Sequence, residues 1–123
     1  MKRFIILAFF LLTFSISCIP VSLDTNDNSE LYGTEWSTSD QVESLLFNRD
    51  NTVVYSCQNR SGKGSFEYDS SSRIITFDGL TVNWGTTTSV MTSAKLTDDK
   101  TMNLYWHEVG KTDNNYEIMY RRR

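Results

Sequence analysis

From Leu31 onward the chain alternates apolar and polar residues with a period close to two, and turn-forming residues interrupt the pattern at short intervals. A β-strand sends successive side chains to opposite faces, so this alternation buries one face of a sheet and wets the other. No segment carries the i, i+3, i+4, i+7 spacing of a long amphipathic helix. The pattern restricts the chain to an all-β fold.

The expected strands run in order. Glu35 to Ser39 forms the first, and Gln41 to Phe47 suits a short helical turn or a strand equally. Leu45-Leu46-Phe47 and Val53-Val54-Tyr55 flank Asn48-Arg49-Asp50-Asn51, a composition that favours a hairpin turn. A further turn is expected over Gln58 to Gly62, after which Gly64, Phe66 and Tyr68 alternate. Asp69 to Ser72 is a polar turn, Arg73 to Phe77 is β-rich, and Asp78-Gly79 is the strongest two-residue hairpin signal. Leu80, Val82 and Trp84 alternate beyond it, and Val90, Thr92, Ala94 and Leu96 lead to a turn at Asp98-Asp99-Lys100. Met102, Leu104 and Trp106 share a face, and the last strand runs through Tyr116, Ile118 and Tyr120. About eight or nine strands joined by tight turns predict a small antiparallel up-and-down meander. Such a meander closes into a β-barrel because closure removes its edges.

The N-terminus carries a different signal. Met1-Lys2-Arg3 is basic, Phe4 to Leu12 is apolar, and small residues follow at Ser15 and Ser17. That is the order of a secretory signal peptide, and the apolar run falls short of the roughly 20 residues of a transmembrane helix. Residues 1–17 are therefore expected to be a signal peptide. Ser15-Ile16-Ser17-Cys18 resembles a lipobox, with Ser15 where that motif usually has Leu. The resemblance implies that Cys18 is acylated and anchors the chain in a lipid bilayer. Ile19 after the cysteine favours the outer membrane by the sorting rule of some Gram-negative lipoproteins, so the expected location is the bacterial cell envelope.

Removing the leader takes Lys2 and Arg3 from twelve basic residues and leaves ten against fifteen acidic ones, a net charge of −5. Such a body repels phosphate backbones, and nucleic acid is not an expected partner. Residues 18–30 read as the lipidated cysteine and a polar tether, followed by one domain over 31–123. Asp24, Asn26, Asn28 and Glu35 match spacings of an EF-hand loop, but Ser29 replaces the glycine its turn requires, and no metal site is expected. Ser61-Gly62-Lys63-Gly64-Ser65 lacks the spacing of a phosphate loop and reads as a hairpin turn. Cys57 reads as a small buried side chain and His107 as a surface residue. They are the only candidate nucleophile–base pair, so no catalytic residues and no cofactor are assigned.

Gly33-Thr34-Glu35-Trp36 resembles the Gly-x-Trp opening of lipocalins and lipocalin-like bacterial lipoproteins, lengthened by one residue. Leu45 to Val53 and Gly64 to Asp69 continue the likeness, which spans most of Leu31 to Arg122. It implies a lipocalin-like β-barrel closed at one end by Trp36 packed under Arg121 or Arg122, through a cation–π contact. Phe47, Tyr55, Phe66, Phe77, Trp84 and Trp106 are the expected lining, either filling the barrel or forming a cup for a small apolar ligand. The implied function is a non-catalytic binding module. The alternative is a protein-interaction module, such as an enzyme inhibitor or an accessory subunit of an envelope complex, binding through Gln58 to Gly64 or Trp84 to Ser89.

Overall fold

The structure, a computed structural model, describes residues 27–122. The expected signal peptide, Cys18, and the Asp24 and Asn26 positions of the calcium-like spacing lie outside the described residues. Nine strands follow a short 3-10 turn at Asn28–Glu30: β1 Glu35–Ser37, β2 Glu43–Phe47, β3 Thr52–Cys57, β4 Arg60–Asp69, β5 Ile74–Asp78, β6 Thr81–Asn83, β7 Thr88–Asp98, β8 Thr101–Glu108 and β9 Asn115–Arg121. Every pairing is antiparallel between neighbours in sequence, apart from β1–β9, which brings the ends together, and β5–β7, which closes the ring across β6. The fold is the expected all-β meander, closed into an eight-stranded barrel.

Eight staves arise from nine strands because β5 and β6 share one edge of β7. Thr76 pairs with Ser93 and Thr81 with Val90, so five steps along one strand match three along the other. The two extra residues form a bend at Asp78–Leu80, where Gly79 takes a φ of +74° and Leu80 O still accepts from Met91 N at 2.9 Å. Asp78-Gly79 is therefore a kink within one stave, not a hairpin. The positive φ that suits glycine to a turn suits it equally to a bulge.

The kink turns β6 inward over β4. A Cβ placed on Gly62 would lie 1.9 Å from Thr81 O, and one on Gly64 would lie 2.6 Å from Asp78 O. Neither lies in the hairpin turn expected over Ser61 to Ser65, and Gly64 holds the strand position that its alternation with Phe66 and Tyr68 predicted. Both glycines sit within β4 because another backbone occupies the space a side chain would need. The turn before them shrinks accordingly to Gln58 and Asn59.

The inward residues form one core in which Trp36, Leu45, Phe47, Val53, Ile75, Leu80, Val82, Met102, Leu104 and Met119 are fully buried. On β7 the expected inward set Val90, Thr92, Ala94 and Leu96 holds only in part. A register shift between Met91 and Ser93 swaps the face, so Met91 points in, while Ala94 and Leu96 keep their places. On β9 the alternation locates the strand, but the apolar residues that marked it face outward: Tyr116, Ile118 and Tyr120 are exposed, and Glu117 and Met119 take the inward positions.

One end of the barrel is sealed by the segment before β1. Leu31 is buried, and Asn28 Nδ2 donates to Phe66 O at 2.9 Å while its Oδ1 accepts from Tyr68 N at 2.7 Å. Asp27 accepts from Ser70 N and Oγ at 3.0 and 2.5 Å, bonds that hold its carboxyl below the usual carboxylate range. Residues 27–30, read with the polar tether, thus pack against the barrel as a lid.

Candidate functional site

The opposite end is open. A cavity of about 200 Å³ lies there, lined by Glu43, Tyr55, Cys57, Trp84, Ser89, Met91, Trp106 and Glu117. The strand alternation that buries Leu45 and Phe47 also aims Glu43 inward from the start of β2, and it aims Tyr55 and Cys57 inward from the end of β3. Trp84 continues the inward series of Leu80 and Val82 just past β6, where its Nε1 donates to Ser89 Oγ at 2.9 Å. Trp106 enters from β8, on the same face as Met102 and Leu104. The rings of Tyr55 and Trp84 meet edge to face, with centroids 6.4 Å apart and planes at 82°.

The six residues expected to line the interior therefore divide. Phe47, Phe66 and Phe77 are buried in the lower core, where Phe47 packs edge-on to Phe66 at 4.9 Å. Tyr55, Trp84 and Trp106 reach the cavity, Tyr55 with its body in the core and its hydroxyl at the mouth. Trp36 is fully buried, and its Nε1 donates to Thr34 Oγ1 at 3.0 Å. Arg121 stands opposite it in the β1–β9 ladder, and Arg122 N donates to Glu35 O at 2.7 Å; both arginine side chains are exposed.

Two cavity residues carry the chemistry that the sequence reading missed. Tyr55 Oη donates to Glu43 Oε1. Glu117 faces Glu43 across the mouth, and its carboxyl is pushed up to about 8, by burial first, then by its hydrogen bond to Glu43 and the negative charges of Glu43 and Asp40. Burial and the bond to Glu43 likewise raise the Tyr55 hydroxyl, so it stays a donor. Burial, with the charge of Glu43, also raises the Cys57 thiol, which keeps it in its unreactive protonated form at neutral pH. His107 lies on the other face of β8 from Trp106, with Nδ1 2.9 Å from Glu108 O, so the fold does not unite it with Cys57. The available signal for the acids was positional. Glu43 shares the parity of Leu45 and Phe47, and Glu117 that of Met119.

Glu117 is only partly buried because β1 leaves β9 early. The two pair only at Trp36–Arg121 and Ser37–Tyr120, whereas β8 follows β9 down to Asn115. A groove between the 38–42 turn and β9 consequently borders both Glu43 and Glu117. Of the two loops considered for partner binding, Gln58 to Gly64 is mostly strand β4, and only Trp84 to Thr87 remains as loop beside the cavity.

The raised carboxyl has a stability consequence. Between about 4.5 and about 8 the folded chain holds a proton that the unfolded chain has lost, so stability falls as pH rises through this window. Glu117→Gln keeps the neutral shape and removes the cost. Denaturant unfolding at pH 8.5 should show the variant more stable by about 1–2 kcal/mol, a value reduced for the solvent reaching this half-exposed group, with little difference at pH 4.5. An equal gap at both pH values would detach the effect from this proton.

Comparison with family models, with curated proteins and with solved structures finds no match.

Proposed function

We propose that this chain is a lipocalin-like bacterial lipoprotein, held on the envelope by acyl chains on Cys18, whose barrel acts as a non-catalytic binding module. The observation that carries the reading is the difference between the two ends: one lidded by residues 27–32, the other opening on a cavity walled by Tyr55, Trp84, Met91 and Trp106. Its ligand is small. At about 200 Å³ the cup lies below the roughly 300–1,000 Å³ of pockets for drug-sized molecules. This narrows the expected lining of six aromatics to the three at the mouth. The interior beneath is occupied by the protein's own side chains, so the ligand rests in the mouth and not in the barrel's centre.

The three tryptophans supply the test. Titrating the full-length protein with a panel of small aromatic and aliphatic compounds should shift the indole N–H signals of Trp84 and Trp106 and leave that of buried Trp36 in place. In cells, Cys18→Ser should move the protein out of the membrane fraction. A panel that moves none of the three signals, or all three alike, would remove the cup as a binding site. A Cys18→Ser protein that stays membrane-bound would remove the anchor.

A further inference from the structure

We infer that the cup selects a small organic cation, whose charge is met by Glu43 and Glu117 and whose alkyl surface is met by Tyr55, Trp84 and Trp106. This inference rests on the cup being a binding site and names its ligand class.

The argument begins with charge. Glu43 and Glu117 line the cavity, and Asp40 stands close enough to act on Glu117. Among the described residues neither glutamate forms an ion pair. Two basic side chains at this end are turned elsewhere: Arg60 Nη1 donates to Asn83 O at 2.9 Å, and Lys111 pairs with Glu108 at 3.8 Å. Tyr55 contributes a hydroxyl hydrogen and Cys57 a thiol, neither of which supplies positive charge.

A neutral apolar ligand filling the mouth would strip water from these two acid groups, which share one proton, and offer nothing in return. An anion would be repelled. A cation brings a counter-charge that no ion pair among the described residues supplies to these acids, and burial strengthens the attraction.

The walls decide between an inorganic and an organic cation. Hard metal ions take six or more oxygen ligands, and here two carboxyl groups face indole, phenol and thioether surfaces. No group of three or more acidic, His or Cys side chains among the described residues is arranged to hold a metal. Aromatic rings attract an alkylated ammonium through their π faces, best when water is excluded, and Trp84 and Trp106 line the cavity beside the two acids. The cavity volume limits the ligand to a few heavy atoms beyond the ammonium group.

Choline and its uncharged carbon isostere, 3,3-dimethylbutan-1-ol, isolate the charge. Each is titrated into the full-length protein, with the Trp84 and Trp106 indole N–H signals as readout. Choline is expected to bind at least tenfold more tightly than the alcohol. Its affinity should rise severalfold from pH 6 to pH 9 as it replaces the Glu117 proton, and the profile should be flat in Glu117→Gln. Equal affinities, or tighter binding of the alcohol, would overturn the cation and leave the cup standing. Silence from both compounds, while another panel member shifts the same indoles, would do the same. Silence from every compound would overturn cup and cation together. A flat pH profile in the unchanged protein would remove Glu117 from the site.

Discussion

Gly62→Ala is expected to cost roughly 3 kcal/mol of stability, at the upper end of what overpacking normally imposes. The added methyl would lie 1.9 Å from Thr81 O, 2.9 Å from Thr81 C and 3.2 Å from Val82 Cγ2. Backbone atoms cannot rotate away as a flexible side chain would. The backbone in question is also held from behind, because Val82 pairs with Ser89 on β7 and Arg60 grips Asn83 O. Relief would require β6 to lift from β4 and open the stave that closes the barrel. For a domain of this size such a loss lowers the melting temperature by roughly 12 °C or more. Thermal melts of the two proteins would decide it. A variant within about 1 kcal/mol of its parent would show that β6 does not lie against Gly62.

Trp36→Ala is expected to cost about 3–5 kcal/mol, the range for emptying the site of a large buried aromatic. Trp36 has no exposed surface and its indole N–H donates to Thr34 Oγ1, so the substitution leaves a void and removes one bond from a hydroxyl that still donates to Leu31 O at 2.7 Å. Arg121→Ala and Arg122→Ala, by contrast, should each lie within about 0.5 kcal/mol of the parent, because both side chains are exposed. Urea unfolding of the three variants separates two pictures of the closed end. If the arginine variants lose stability comparable to Trp36→Ala, the cation–π clasp implied by the lipocalin resemblance holds that end together. If only Trp36→Ala does, the seal is Trp36 with the 27–32 lid.

The two expectations share a lesson about legibility. Period-two patterning located almost every strand, because alternation is a local property that burial of one face imposes on the chain. It also placed Met102, Leu104 and Trp106 on one face, and Leu80, Val82 and Trp84 on another, as the structure has them. It failed where two backbones meet. Gly62 read as a turn residue, since nothing nearby in sequence announces that β6 will press on it. Asp78-Gly79 read as a hairpin, since a turn and a bulge ask the same φ of the same residue.

The acidic site was hidden for a related reason. Tyr116, Ile118 and Tyr120 are three of the four apolar members of β9, and patterning alone would turn them inward. They face out, and Glu117 faces the cavity. Strand parity is fixed by the whole ladder, here by Met119, which lies opposite Met102 in the β8–β9 pairing and is fully buried with it. One strand cannot choose its face independently of that register.

The class of fold and the order of the strands were legible in the sequence alone, because both follow from local periodicity. Only the tertiary structure decided that one end is lidded and the other open, and that Glu43 and Glu117, which are 74 positions apart in the chain, share one cavity. The reason is geometric. Closing a meander brings its first and last strands together, and which side chains meet there depends on bulges and register summed around the ring, which no short window of sequence contains.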